Sequence, residues 1–172
     1  DTINAIEKEL REGPWYWGKN SYLNADGHWS RQFGTEHKDG DMWKGIENSL
    51  EEPISEAWQQ IKKYFSEDDV LTRCYANSST YGIDNKLHTD STNRGSKTFI
   101  LFLNRKWNVD FGGETILFDD KDNSIIYSKL PRFNNGLLID GSIWHRATSI
   151  TKYAKDIRIT LMFKTEKNEF II

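Results

Sequence analysis

A single cysteine, Cys74, in a chain of 172 residues excludes a disulfide framework and points to a reducing compartment. Basic residues are not in excess. A formal charge of -3 argues against a sequence-independent grip on DNA or RNA, which needs a basic surface, and no nucleic-acid partner is expected. Long apolar runs are lacking too: none approaches the ~20 residues that would span a bilayer, so no membrane association is expected. No signal peptide is visible, which sets the expectation of a cytoplasmic protein, although the chain begins with Asp1 rather than methionine. Repeats and low-complexity tracts are absent. At 172 residues the chain suits one domain with a proper core, expected to be monomeric.

What is present changes character once along the chain. Residues 3–11 read as a short helix with Ile3, Ile6 and Leu10 on one stripe, closed by Gly13-Pro14. A second helix has Pro53 in its first turn and Ile54, Ala57, Trp58, Ile61 and Phe65 at helical spacing. From Val70 onward the signals are strands, at 70–76, 97–103, 114–118, 124–129, 137–139 and 157–164. Turn-forming clusters punctuate them, at Asn93-Arg94-Gly95-Ser96, at residues 119–123 and at Asn134-Asn135-Gly136. Helices followed by strands predict a mostly β fold with supporting helices, a jelly-roll barrel. Residues 1–69 would form a helical, aromatic-rich supporting region and residues 70–164 the barrel core. Between the helices, residues 13–45 carry Trp15, Tyr16, Trp17, Tyr22, Trp29, Phe33 and Trp43 with no obvious secondary structure. These aromatics either cover the barrel or form a lid over a site.

Chemistry concentrates in the strand region. In Leu87-His88-Thr89-Asp90, an extended backbone would project His88 and Asp90 from one face while Thr89 turns away. A third ligand must come from elsewhere. Of the four histidines, His28 and His37 sit in a polar, glycine-rich stretch, which leaves His145 in Ile143-Trp144-His145-Arg146. Two imidazoles and a carboxylate suit one face of ferrous iron, leaving positions open for a co-substrate and dioxygen. The bland alternative is a solvated loop with a histidine and a carboxylate. Arg158 sits in a run with strict alternation, in which Ile157, Ile159, Leu161 and Phe163 would point one way and Arg158, Thr160 and Met162 the other. Burying a guanidinium is costly unless a carboxylate pairs with it. Either Arg158 lies at the strand edge, or it clamps the distal carboxylate of a dicarboxylic co-substrate with help from Thr160.

Taken in order, these pieces resemble the iron(II)- and 2-oxoglutarate-dependent dioxygenases, in particular their prolyl-4-hydroxylase-like branch, over residues 70–164. The likeness rests on Arg73-Cys74-Tyr75, Leu87-His88-Thr89-Asp90, residues 98–107 with their leucine-asparagine turn, Phe111-Gly112-Gly113-Glu114-Thr115, residues 136–140, His145 and Arg158. It implies a double-stranded β-helix in which His88, Asp90 and His145 hold Fe(2+) and Arg158 anchors 2-oxoglutarate. Tyr75, Thr98 and Thr160 are its candidates for hydrogen bonds to the co-substrate, and Tyr81, Trp144 and Arg146 its candidates for contacts to the substrate. It further implies hydroxylation of an unactivated C–H bond by O2, with succinate and CO2 released and ascorbate as a supporting reductant. The one-cysteine composition suits a compartment that keeps iron ferrous. A prolyl residue of a peptide or protein is the expected substrate; a free amino acid or small metabolite is the alternative.

The chain departs from the branch in three places. An arginine stands at position 158, where many collagen-type members carry lysine and the oxygen-sensing members use arginine. Phe102 stands where the oxygen-sensing members show a tyrosine, and residues 149–156 make a longer loop before Arg158. Outside the oxygenases, a zinc-dependent hydrolase would use the same three ligands with a bound water, against which Arg158 and the lack of an evident general base count. A non-catalytic barrel that binds a ligand is the remaining class. Nucleic-acid repair is disfavoured by the acidic balance.

Overall fold

The computed structural model describes residues 1–19, 27–35, 37–39 and 42–168. Helix α1, Thr2–Glu12, is capped by the Asp1 carboxylate, which accepts the Ile3 N–H, and it ends at Gly13, whose N–H returns to the Glu9 carbonyl. The predicted helix was one residue shorter at each end. Helix α2, Ile54–Ile61, follows Pro53, which sits just ahead of the helix rather than within its first turn. The apolar stripes of both helices, Ile6 and Leu10 on one and Ile54, Ala57 and Trp58 on the other, lie in a single core cluster.

The partner of that cluster is one face of a six-stranded sheet. Its members are β1 (Tyr16–Lys19), β2 (His28–Gly34), β5 (Asp69–Ser79), β6 (Lys97–Phe102), β9 (Asn135–Asp140) and β11 (Arg158–Lys167), in the spatial order β1-β2-β5-β11-β6-β9. A three-stranded sheet, β10-β7-β8, comprises β7 (Thr115–Phe118), β8 (Ile125–Lys129) and β10 (Trp144–Ala147). The small hairpin of β3 (His37–Asp39) and β4 (Met42–Lys44) is separate. The fold is the predicted jelly roll, with pairing antiparallel in every named ladder.

Strand β11 shows how two faces are filled. Ile159, Leu161 and Phe163 join the helix-side core with Phe99, Leu101 and Leu103. Met162 turns inward to a second cluster with Tyr75, Ile100, Phe102, Leu117 and Ile139, which brings the two sheets together. This period-2 division is the one expected from sequence. Trp58 carries much of the helix contact: it is 1% exposed, with its ring 5.8 Å from Phe163 and 5.1 Å from Phe65.

The aromatic-rich stretch 13–45 departs from expectation. Among its described residues are four strands, and β2 pairs along β5 in register Ser30 to Asn77 and Arg31 to Ala76. Polar residues hide it from an apolar-alternation test; the pairing is driven by backbone groups of β5 that need partners. Trp15 and Phe33 pack against the helix-side core, whereas Tyr16 and Trp17 are exposed. Tyr22 lies outside the described residues.

Ion pairs tie α1 to the approach to β11. Arg11 donates to both carboxylate oxygens of Asp156, at 2.9 and 2.8 Å, two residues before Arg158. Glu7 pairs with Arg105 and with Arg11. Trp58→Ala is expected to cost about 3–5 kcal/mol of stability, in the range for emptying a large aromatic from a core. Urea denaturation should show a lower midpoint with an unchanged slope.

Candidate metal centre

His88 and His145 face each other across an isolated antiparallel bridge. The His88 N–H donates to the His145 carbonyl at 3.0 Å, and the His145 N–H to the His88 carbonyl at 2.8 Å. Asp90 is tied beside them by its N–H to the Gly141 carbonyl, at 2.8 Å. The His-x-Asp segment, expected on an extended strand, lies in no named strand and is instead a link pinned to β10 and its preceding turn. Polar neighbours such as Ser91, Thr92 and Asn93 give it no strand partner beyond that bridge.

The rings are oriented from behind. Nδ1 of His88 lies 2.9 Å from the Lys86 carbonyl and Nδ1 of His145 lies 2.8 Å from the Ile143 carbonyl. A carbonyl can only accept, so each Nδ1 carries the proton, and in the neutral ring Nε2 presents a lone pair. Those Nε2 atoms stand 3.7 Å and 3.6 Å from the two carboxylate oxygens of Asp90. One donor atom from each residue falls within 4.8 Å of the others. This donor set, two imidazole nitrogens and one oxygen, fits a divalent metal bound on one face.

Charge agrees with that fit. Burial pushes the His145 pKa down, outweighing the attraction of Asp90, so the ring is neutral near pH 7. For Asp90, burial works to raise the pKa, but Lys164, His145 and the hydrogen bonds from Lys164 and Thr98 together hold it below the ordinary carboxylate value. The carboxylate is thus ionised. Its supports are specific: Lys164 Nζ contacts Oδ1 at 2.5 Å, and the Thr98 hydroxyl donates to Oδ2 at 2.7 Å. Thr98 was expected to serve the co-substrate; fully buried, it spends its hydroxyl on Asp90 instead. Lys164 itself resists the lowering effect of burial through Tyr75 and Asp90, and its pKa is raised.

Arg158 is 5% exposed and reaches into the space between the sheets. Its Nε donates to the Gly113 carbonyl at 2.7 Å and Nη2 to the Thr115 hydroxyl at 3.0 Å. Among the described residues no carboxylate lies within ion-pair distance of it. Burial lowers its pKa to about 10, against a smaller upward pull from Glu114, so it stays a cation at neutral pH. Asn104 fixes the backbone on either side, accepting the Ile159 N–H at 2.9 Å and donating to the Ile157 carbonyl at 2.7 Å. The close approach of Gly113 explains the glycine: φ is +77°, and a Cβ there would lie 3.0 Å from Arg158 Cδ and 2.7 Å from Ile150 Cδ1.

A cavity of about 100 Å³ joins these parts, lined by the three candidate ligands and also by Arg158, Thr160 and Tyr75. Phe102 lies beneath the guanidinium, 5.8 Å from its carbon, and offers no hydroxyl. Arg146 lines a second depression of about 520 Å³ nearer the surface. Tyr81 and Trp144 line neither hollow and are exposed.

The cavity also holds residues that sequence reasoning passed over. His28, set aside in a polar stretch, reaches the wall from β2, and Asn77 and Ser79 do so from the polar end of β5. Asn85 enters from the link before His88. For Lys164 the signal was available: the alternation of Arg158, Thr160 and Met162 carries one step further to it.

No protein-family model matches this sequence, and a search of curated proteins finds no relative. Solved structures do match. A prolyl-4-hydroxylase from Pseudomonas putida superimposes with a TM-score of 0.67 at 13% identity, over 97% of this chain and 87% of that one. A prolyl hydroxylase from Trichoplax adhaerens, solved with a peptide fragment of the hypoxia inducible factor oxygen degradation domain, gives 0.66 at 18% identity, over 96% and 77%. A 2OG-Fe(II) oxygenase family oxidoreductase from Burkholderia pseudomallei gives 0.66 at 13% identity, over 96% and 79%. The chain shares their fold.

Lys164→Met should leave the Asp90 charge buried without its counter-ion. The metal-free protein is expected to lose about 3–5 kcal/mol, while Mn(II), no longer opposed by the ammonium, should bind more tightly. Melting curves with and without Mn(II) should therefore separate more widely for the variant than for the wild type. For Asp90 the sign is that of a depressed carboxyl: its stabilisation is complete above the ordinary pKa near ~4 and is lost as pH falls through the lower folded value.

Proposed function

We propose that this chain is an Fe(II)- and 2-oxoglutarate-dependent dioxygenase that hydroxylates an unactivated C–H bond, with a prolyl residue in a peptide or protein as substrate. One observation carries the reading. A single cavity is lined by two histidines and an aspartate fit for a metal and by a buried arginine with no carboxylate of the described residues within ion-pair distance. A dicarboxylate held at both ends would answer both features. The shared fold with prolyl hydroxylases, one of them seen with a peptide, supports the choice of substrate.

In this mechanism His88, Asp90 and His145 would hold the iron, which would supply the activation of dioxygen that no side chain offers. Arg158 receives the C5 carboxylate of 2-oxoglutarate through a charge-assisted pair, with Thr160 beside it on the same strand face. That anchor would fix the co-substrate in one orientation, with its keto acid end toward His88, Asp90 and His145. Tyr75, a neutral phenol because burial raises its pKa, serves as a polar contact on the same wall. Ile100 and Met162 add apolar surface to the lining and limit the water around the reacting centre. Lys164 and Thr98 act through Asp90, holding its two oxygens.

Purified protein supplied with Fe(II), 2-oxoglutarate and oxygen should form succinate, faster when proline-containing peptides are present, with a gain of one oxygen in the peptide mass. Failure to bind or turn over 2-oxoglutarate sinks the reading. His145→Ala should abolish turnover and weaken Mn(II) binding by at least about tenfold, as a two-ligand site holds a divalent ion poorly. Arg158→Ala should raise the 2-oxoglutarate requirement by roughly 10- to 150-fold, the equivalent of about 1.5–3 kcal/mol. Unchanged affinity would place Arg158 outside the co-substrate site.

A further inference from the structure

The outer edge of the smaller sheet is apolar where sheet edges are usually charged. In the order β10-β7-β8, strand β8 pairs on one side with β7, and its residues make no other backbone hydrogen bond among the described residues. Every second residue of such a strand turns its N–H and C=O outward, a template for another strand unless charge, proline or a cover blunts it. Here Ile125, Ile126 and Tyr127 are 60%, 53% and 43% exposed. Three successive exposed apolar residues are a fault in a protein surface unless they serve a contact. Ile126 is the extra residue of a bulge, since Leu117 pairs with Tyr127 and Phe118 with Ile125. The apolar surface continues across the sheet, where the exposed Trp144 is the cross-strand neighbour of Phe118, and Phe118 that of Ile125.

Charge lies at the two ends of this strand and differs in sign. Asp119, Asp120 and Asp122, against Lys121, make the turn before β8 acidic; Lys129 and Arg132 make its far end basic. None of the six is in an ion pair among the described residues. The acidic turn is held in shape by its own backbone: Asp119 accepts the Lys121 N–H and Asp122 the Ser124 N–H, both at 2.8 Å.

An antiparallel partner strand brings its own far end to that turn. The complement of this edge is therefore an uncharged apolar strand with a basic end to meet the acids and an acidic end to meet the bases, which describes a second β8. Pairing would cover Ile125, Ile126 and Tyr127 with their own counterparts and satisfy the outward backbone groups. Pro131, without an N–H, ends it just past Lys129. Because β7 holds the other side of β8, each copy has one such edge to give, and the assembly closes at two.

We propose that β8 is a dimerisation edge, at which two copies of this chain pair antiparallel about a two-fold axis and join their three-stranded sheets. The proposal stands apart from the dioxygenase reading and replaces the monomer expected from chain length.

The test is sedimentation velocity over a series from about 2 to about 200 µM chain, a span that brackets a micromolar Kd. The weight-average mass should climb from near 20.1 kDa toward twice that value and stop there. Ile126→Lys should remain a single chain throughout, with an unchanged melting temperature at low concentration, since an exposed side chain is replaced. Ile126→Thr, which keeps the β-branched shape, should also weaken association, so the outcome does not hang on how β8 tolerates lysine. The double variant Lys129→Glu, Arg132→Glu and the double variant Asp120→Lys, Asp122→Lys should each associate at least about tenfold more weakly, because like charges then meet at both ends. An equimolar mixture of the two should recover wild-type association, as every basic end again faces an acidic one. Non-specific apolar sticking would not distinguish the mixture from its components. A single-chain mass at every concentration, growth past two chains, association that survives Ile126→Lys, or a mixture no tighter than its components overturns the proposal.

Discussion

His88 and His145 exchange two backbone hydrogen bonds, and the candidate metal centre depends on that bridge. It brings together residues far apart in sequence, sets their rings 4.4 Å apart, and leaves each Nδ1 close to a carbonyl of its own segment. Ring orientation, tautomer and the convergence on Asp90 follow from the backbone. A site held this way is preorganised before any metal arrives, which is what a constellation needs if its geometry is not to be assembled at the cost of ligand binding.

The two buried cations of β11 are treated in opposite ways. Lys164 is paired with Asp90 and so has its charge neutralised, as a buried ion requires. Arg158, six residues earlier on the same face, receives a carbonyl and a hydroxyl, and no carboxylate of the described residues lies within ion-pair distance of it. The contrast is the one the proposed role of Arg158, as partner of a ligand's carboxylate, requires. Both sit on a strand whose other face, through Ile159, Leu161 and Phe163, is packed under the helices, so the support for the cavity wall is the main hydrophobic core itself. Asn104 and the Arg11–Asp156 pair then fix where that strand begins.

Much of this was legible in the sequence because period-2 alternation is a strong signal. It placed Arg158, Thr160 and Met162 on one face of β11 and the apolar residues on the other, and the order of motifs carried the barrel. The His-x-Asp pair was legible as chemistry but not as structure, since its backbone is shaped by a partner more than fifty residues away rather than by its own pattern. Strand β2 and the last residues of β5 were hidden for a related reason. Their side chains are polar, and polar strands inside a barrel look like loops until their backbone partners are known. Asn77 and His28 were missed with them. Thr98 shows a different limit: its strand and face are as expected, but which neighbour takes its hydroxyl is decided by the position of Asp90 in space.

The central claim is that one cavity holds a metal at one end and a dicarboxylate's distal charge at the other. Anaerobic addition of 2-oxoglutarate to protein loaded with one equivalent of Fe(II), followed by visible absorption, tests it most directly, because chelation of ferrous iron by the keto acid produces a charge-transfer band that neither component shows alone. The account predicts a band that saturates at one equivalent of 2-oxoglutarate and requires both His145 and Arg158 for full intensity at low ligand concentration. An Fe(II)-loaded protein that shows no band at any concentration of 2-oxoglutarate would contradict it.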